Sequence, residues 1–297
     1  MKKYIIYSLM LAVGAFSLSS CSEDDLNPVS VITTTQTSQN DFDRWLQKNF
    51  VAPYNIDFEY RYVDIETDNN YYQIPARYED AVKLAHILKY TCIEAYNEVA
   101  GVEFTRTYFP KMFVVTGEWL YRNNGTIILG TAEGGKKIFL AGANYLGEYI
   151  TNVATLNEFY LKTIHHEFTH ILNQTKNYPE DFQLITGEDY LADQWSSEEG
   201  ETGFLKRGFI SDYSQHSHQE DFAEMLSIYV TNSSQQWNAW MTEAGSTGKA
   251  KLNQKLDVVR EYMQEKWGID IDQMRDAVLA RENDVVNGDV DLDDLTI

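Results

Sequence analysis

The chain has 297 residues, with 45 Asp and Glu against 24 Lys and Arg, and a formal net charge of −21. A surface that acidic repels nucleic-acid phosphates and offers no cationic footprint for binding them. Apolar residues at 43 % and aromatic residues at 13 % suffice for a sizeable core in one large domain or two small ones, and 20 Tyr also supply surfaces suited to carbohydrate or peptide.

Met1-Lys2-Lys3 is a short basic start, followed by an apolar run from Tyr4 to Phe16. A run of about 13 residues is too short to span a bilayer but suits the apolar region of a secretory signal. Leu18-Ser19-Ser20-Cys21 resembles the bacterial lipobox. That resemblance implies cleavage before Cys21, acylation of its thiol and new amino terminus, and a stable membrane anchor. Ser22-Glu23-Asp24-Asp25 resembles the export signal that carries lipoproteins of Bacteroidetes-type bacteria to the outer face of the outer membrane. Residues 1–20 therefore read as a signal peptide and 21–38 as an acidic, polar tether. Residues 39–283 read as one domain and 284–297 as an acidic C-terminal tail. No other stretch is long and apolar enough to cross a membrane. The mature chain has 277 residues and a charge of −23 once Lys2 and Lys3 are removed. Cys92 is then the one remaining thiol, which excludes an intrachain disulfide and suits a small buried hydrophobe.

Phe42 to Phe50 suits a short helix, and Pro53 to Ile74 is tyrosine-rich and extended. Ala81, Leu84, Ala85, Leu88, Cys92 and Ala95 give helical periodicity over Tyr78 to Val99; His86 within it reads as structural. Pro110 to Thr116 reads as a strand. Thr126 to Leu129 and Lys137 to Leu140 are two short apolar runs, with the glycine-rich stretch Gly130 to Gly135 as the turn of a hairpin. Those glycines match no phosphate-binding pattern.

Thr163 to Leu172 contains His166-Glu167-x-x-His170, an H-E-x-x-H motif. On a helical wheel Tyr160, Leu161, Ile164, Phe168, Ile171 and Leu172 fall within an arc of about 120°, while His166 and His170 lie on the far side about 40° apart. Both imidazoles can thus reach one ion. Zinc accepts imidazole nitrogen, and a catalytic zinc takes three protein ligands and a water, which Glu167 stands ready to deprotonate. Asn157 and Glu158 suit the helix start, and the helix must end before Pro179. His165 cannot join the pair, since the residue four after it is Thr169. Tyr178 to Gly208 is polar, acidic and poor in periodicity, and reads as an excursion over the cleft.

Read as a helix, Gln219 to Leu226 puts Glu220 and Glu224 on one face beside Ala223 and Ser227, with Phe222, Met225, Leu226 and Tyr229 opposite. Small neighbours let this helix approach the histidine helix. Glu220 then completes a His-His-Glu set, and Glu224 accepts from the free nitrogen of a ligand histidine, fixing its tautomer. Glu198, Glu199, Glu201, His216 and His218 are the other candidates for third ligand. Glu220 is preferred because it alone has helical context with a second acid one turn on; His216 and His218 suit the loop capping that helix. Helical patterns follow at 249–265 and 270–282, and Glu282 to Ile297 reads as frayed.

A glutamate on a second helix, 50 residues after H-E-x-x-H, resembles the gluzincin metallopeptidases. The E-D-F-A-E run at 220–224, with Tyr213 seven residues before Glu220, is similar to the anthrax lethal factor catalytic domain. Lipobox, H-E-x-x-H, G-F-I-S-D-Y (208–213) and E-D-F-A-E together resemble the zinc metallohydrolase lipoproteins associated with substrate import in Bacteroidetes, over residues 1 to about 280. The resemblance implies an α+β, zincin-like fold with a small mixed sheet, an active-site helix and a following glutamate helix. It further implies one zinc, Tyr213 as donor to the developing oxyanion, a peptide or glycopeptide substrate at the cell surface, and an outer-membrane nutrient importer as partner. Asn173 and Lys176 stand where a metzincin has its glycine and third histidine, which disfavours that class. No G-x-S-x-G or reactive thiol offers a rival nucleophile. A non-catalytic surface lipoprotein that hands substrate to the importer is the alternative, and the intact Glu167 favours the enzyme.

Overall fold

The structure is a computed structural model and describes residues 39–297 apart from 69, 123, 124, 134, 135, 198, 199 and 201. The expected signal peptide and tether, with Cys21, lie outside the described residues, as do the candidate ligands Glu198, Glu199 and Glu201. The unit Asn40–Ile297 is mostly helical with a small mixed sheet, an α+β architecture. Among the described residues no helix is long and apolar enough to cross a membrane.

Helix α1, residues 41–54, starts at a capping box in which the Asn40 side chain accepts from Asp43 N–H at 2.8 Å and Asp43 accepts from Asn40 N–H at 3.0 Å. It runs past the expected end at Phe50 until Asn55 turns left-handed at φ 55. Helix α2, residues 78–100, buries the expected stripe from Ala81 to Ala95, and Cys92 is a fully buried free thiol. Helix α3, Val102–Tyr108, leads back to the sheet.

The strands are β1 (Asp57–Glu59), β2 (Met112–Val115), β3 (Leu120–Tyr121), β4 (Ile127–Ile128), β5 (Gly130–Glu133) and β6 (Lys137–Leu140). The main sheet has the order β1-β2-β6-β5, with the first three strands parallel and β5 antiparallel at the edge. Phe113, Val114, Val115, Ile138, Phe139 and Leu140 are all buried, as befits inner strands covered on both faces. The expected hairpin is different. Ile127-Ile128 pairs back onto Leu120-Tyr121, and Gly130–Glu133, the first part of the stretch read as a turn, is itself strand β5, with Gly130 opposite Leu140 and Glu133 opposite Lys137. Gly130 marks a close approach: a Cβ there would stand 2.6 Å from the Phe139 carbonyl oxygen and 2.7 Å from Thr163 Cγ2. Strand β5 can therefore lie tight against the helix that carries Thr163.

Helix α4 covers residues 153–175, α5 His218–Thr231, α6 Ser234–Glu243, α7 residues 245–267 and α8 Ile271–Asn287. The described residues of 178–208 form only short helical turns, among them Asp181–Leu184 and Phe204–Arg207. Helix α5 is buried on every side from Asp221 to Thr231, packed by α4, α7 and α8. Helix α8 continues five residues beyond its expected end and stops at Gly288, φ +77. Glu282, read as frayed, is fully buried, and Val290, Leu292 and Leu295 after the helix pack on the core. Acids in the stretch read as frayed have partners on distant helices, Asn157 for Glu282 and Tyr90 for Asp284.

Candidate metal centre

Helix α4 carries the H-E-x-x-H motif on its last segment, Lys162–Thr175. It begins earlier than expected. Asn152 is its N-cap, accepting from Ala154 N–H at 2.8 Å and Thr155 N–H at 3.3 Å. Asn157, read as the start, lies inside the helix and donates to the Thr231 carbonyl at 2.7 Å and to Glu282 Oε2 at 2.9 Å. The apolar arc from Tyr160 to Leu172 is buried throughout. His165 points into this core, 3.2 Å from the Tyr96 hydroxyl, and burial depresses its pKa to about 4. His166 and His170 leave the opposite face.

Helix α5 crosses that face, with the Ser217 side chain capping it by accepting from Glu220 N–H at 3.3 Å. Glu220 Oε2 lies 2.9 Å from His166 Nε2 and 3.2 Å from His170 Nε2, and the two nitrogens are 3.1 Å apart. Tetrahedral zinc with ligands at about 2.0–2.1 Å sets neighbouring ligand atoms roughly 3.3–3.4 Å apart. The donors therefore stand close to three corners of such a site. On the other side of the ring, His166 Nδ1 is 2.8 Å from Glu224 Oε1. A proton on Nδ1, donated to Glu224, turns the Nε2 lone pair inward, towards His170 and Glu220. Three lone pairs then converge with no hydrogen between them, an arrangement that only a cation makes favourable. Of the candidates for third ligand among the described residues, Glu220 alone joins the histidines. His218 bonds the Tyr178 hydroxyl at 2.7 Å, and His216 stacks on Tyr213.

Of the triad, His166 borders a cleft of about 230 Å³ that is also lined by Glu167, Tyr213, Arg122, Trp195 and the β4 residues Ile127 and Ile128, while His170 borders a second cavity on the other side. Tyr213 lies just ahead of α5 with its ring 5.9 Å from that of His166 and 4.9 Å from that of Trp195. Burial, with the charges of Glu220, Glu167 and Glu224, raises its pKa, so the phenol keeps its proton and can donate.

Residues 34–272 match the family described as "Putative zinc-binding metallo-peptidase". The chain belongs to this family. It is also similar to the crystal structure of a putative zinc-binding metallo-peptidase from Bacteroides caccae ATCC 43185, at 39 % identity and a TM-score of 0.75, over 90 % of this chain and all of that one. No curated protein matches.

In this member of the family the electrostatics call for positive charge at the triad. Burial works against a proton on His166, but Glu220 and Glu224 outweigh it and raise its pKa to about 10. A proton or a dication satisfies the same demand. Burial likewise opposes the charge on Glu224, yet Lys162, His166 and Ser211 hold its pKa at about 2. Lys162 Nζ reaches both its oxygens at 3.1 and 3.2 Å, and Ser211 Oγ donates at 2.7 Å. The sequence reading missed both. Lys162 precedes His166 by four residues, so its helical face was available as a signal; Ser211 had none. Also missed is the fully buried pair beneath Glu220, Asp221 with Lys255 at 2.5 Å, which ties α5 to α7.

Proposed function

We propose that the chain is a lipid-anchored, outward-facing hydrolase with one zinc and a zincin-like site, cleaving amide bonds in peptides or glycopeptides. The observation that carries the reading is the convergence of His166 Nε2, His170 Nε2 and Glu220 Oε2, with His166 bordering a cleft that also holds Glu167 and Tyr213. Zinc bound by those three residues would polarise the scissile carbonyl and acidify the attacking water. Glu167, half-buried in the same cleft, takes the proton of that water and passes it to the leaving amine. Tyr213 donates its hydroxyl to the oxygen on which negative charge develops. Glu224, held ionised by Lys162 and Ser211, keeps His166 in the tautomer that ligates. Strand β4 and Gly130 of the edge strand β5 line the same cleft, where extended substrate would lie.

The test is the zinc-loaded chain with Glu167→Gln and, separately, Tyr213→Phe, assayed against a mixed peptide library. Glu167→Gln should retain one zinc per chain and lower turnover by roughly 10²–10⁴-fold, and Tyr213→Phe should lower kcat by roughly 10²–10³-fold with zinc content unchanged. Unchanged turnover in Glu167→Gln would end the hydrolase reading. Anchoring rests on the Leu18-to-Cys21 run, and service to an outer-membrane nutrient importer on the resemblance already described. Cys21→Ala should move the chain from the membrane fraction to the soluble one; a chain that still pellets is anchored by other means.

A further inference from the structure

Beyond the triad, on the His170 side, a second cavity of about 350 Å³ is bounded by Asn173, Gln174, Asn177, Tyr178, Gln183 and Gln219. Among the described residues no lysine or arginine borders it, and its one acid, Glu180, is exposed. Tyr178 and His218 form a fixed wall: they bond each other at 2.7 Å, and the Tyr178 ring stacks on Phe222 with centroids 4.2 Å apart. The chemistry facing the cavity is that of neutral amides.

One of those amides is unsatisfied. Asn173 lies three residues after His170 on the same helix, on the face that carries the ligands. It is 9 % exposed, and neither its Oδ1 nor its Nδ2 has a partner. Buried side-chain amides are almost always paired, because desolvating them without a partner is costly. A donor and an acceptor left open side by side define what completes them. A carboxylate brings only acceptors, an ammonium only donors and an aliphatic chain neither, whereas a primary amide brings one of each. A carboxylate would meet no lysine or arginine among the described lining residues, and an ammonium would meet only the solvent-exposed Glu180.

We propose that this cavity is a substrate side-chain subsite and that Asn173 selects an uncharged amide side chain, Gln or Asn, at the residue that enters it. The subsite's place beside a scissile bond rests on the peptidase reading; the selectivity is a binding property and stands apart from it.

The experiment uses zinc-loaded Glu167→Gln chain, whose turnover is suppressed, and fluorescent peptides in which Gln, Asn, Glu, Lys or Leu is placed at each position in turn. Affinities are read by anisotropy, and the same series is run with Asn173→Leu and Asn173→Ala added. At one position Gln or Asn should bind roughly 10–100-fold more tightly than Leu, Glu or Lys, and both Asn173 variants should erase that ratio. Asn173→Ala adds no bulk and guards against a Leu variant that fails to fold, with Tm recorded for each. Affinities indifferent to residue type at every position overturn the proposal. So does a loss in the Asn173 variants that is equal for all peptides, the sign of an asparagine that holds a water or the substrate backbone. Selective binding by a chain whose Glu167-intact form cleaves nothing supports the subsite and removes the peptidase reading. Binding of no peptide removes both.

Discussion

Glu224 and Glu282 are both shut off from water, on two helices that pack against α4, and their pKa values are displaced in opposite directions. Glu224 meets Lys162, His166 and Ser211, and its pKa is held at about 2. Glu282 meets a single donor, Asn157 Nδ2, leaves Oε1 unpartnered, and has its pKa pushed well above the ordinary glutamate value by burial. Burial penalises both carboxylates alike, so it is the partners that decide. One glutamate is equipped to stay charged beside a cation site; the other is biased towards the neutral acid in a core.

Asp221 stands between these cases. It is fully buried like both, its one cationic partner is Lys255, and Tyr190 donates to it at 2.8 Å. Burial raises its pKa to about 6 against the pull of Lys255. Lys255→Met therefore gives the largest effect expected here. Removing one member of a buried pair strands the other, and a loss of about 3–5 kcal/mol in urea unfolding at pH 8 follows. A loss below about 1 kcal/mol would place Asp221 with Glu282, as an acid that needs no cation.

The next test acts on Glu224 itself. Glu224→Gln keeps shape and a hydrogen-bond acceptor but removes the charge that orients His166. Zinc affinity, measured by competition with a chelator, should fall by roughly 10–100-fold, the usual cost of losing such a supporting carboxylate. Lys162, whose side chain is partly open to solvent, can be hydrated in the variant, so the fold should survive. An unchanged zinc Kd would mean that Glu224 serves Lys162 and not the ligand.

The same pair shows what could be read in the sequence. The Glu220–Glu224 face was legible because its period is local, four residues on one helix, and so was the apolar arc opposite His166 and His170. The partners that fix the charge were not. Lys162 lies 62 residues from Glu224 and Asn157 lies 125 residues from Glu282. Without that contact Asn157 looks like a cap, while the true cap is Asn152, a residue of the same chemistry five positions earlier. Glu282, in an acid-rich terminus, looks like a solvated charge. Gly130 looks like a turn because the crowding that requires a glycine comes from Phe139 and Thr163, across the sheet and on another helix. Periodicity reports what an element does to itself; these features are made by a second element.

The smallest effect expected is also the cleanest measure of the contrast. In its protonated form Glu282 has an O–H to donate, and Asn157 Oδ1 is a buried acceptor with no other partner. The acid and the amide can then satisfy each other, with Asn157 Nδ2–H on Oε2 and the carboxyl O–H on Oδ1. A raised folded pKa means that the folded chain keeps this proton after the unfolded chain has released its own, above about pH 4.3. The stability Glu282 supplies is therefore complete below that pH and is lost as pH rises through the folded value. Glu282→Gln keeps a donor for Asn157 Oδ1 and an acceptor for Nδ2 but has no proton to lose. Urea unfolding of both chains between pH 5 and pH 8 isolates the effect, since all other groups cancel in the difference. The variant should gain on the wild type as pH rises, by at most about 1.4 kcal/mol per pH unit and by roughly 1–3 kcal/mol in all. A difference that stays flat across that range would mean that Glu282 is ionised in the core, and that a buried glutamate needs no more than one amide to keep its charge.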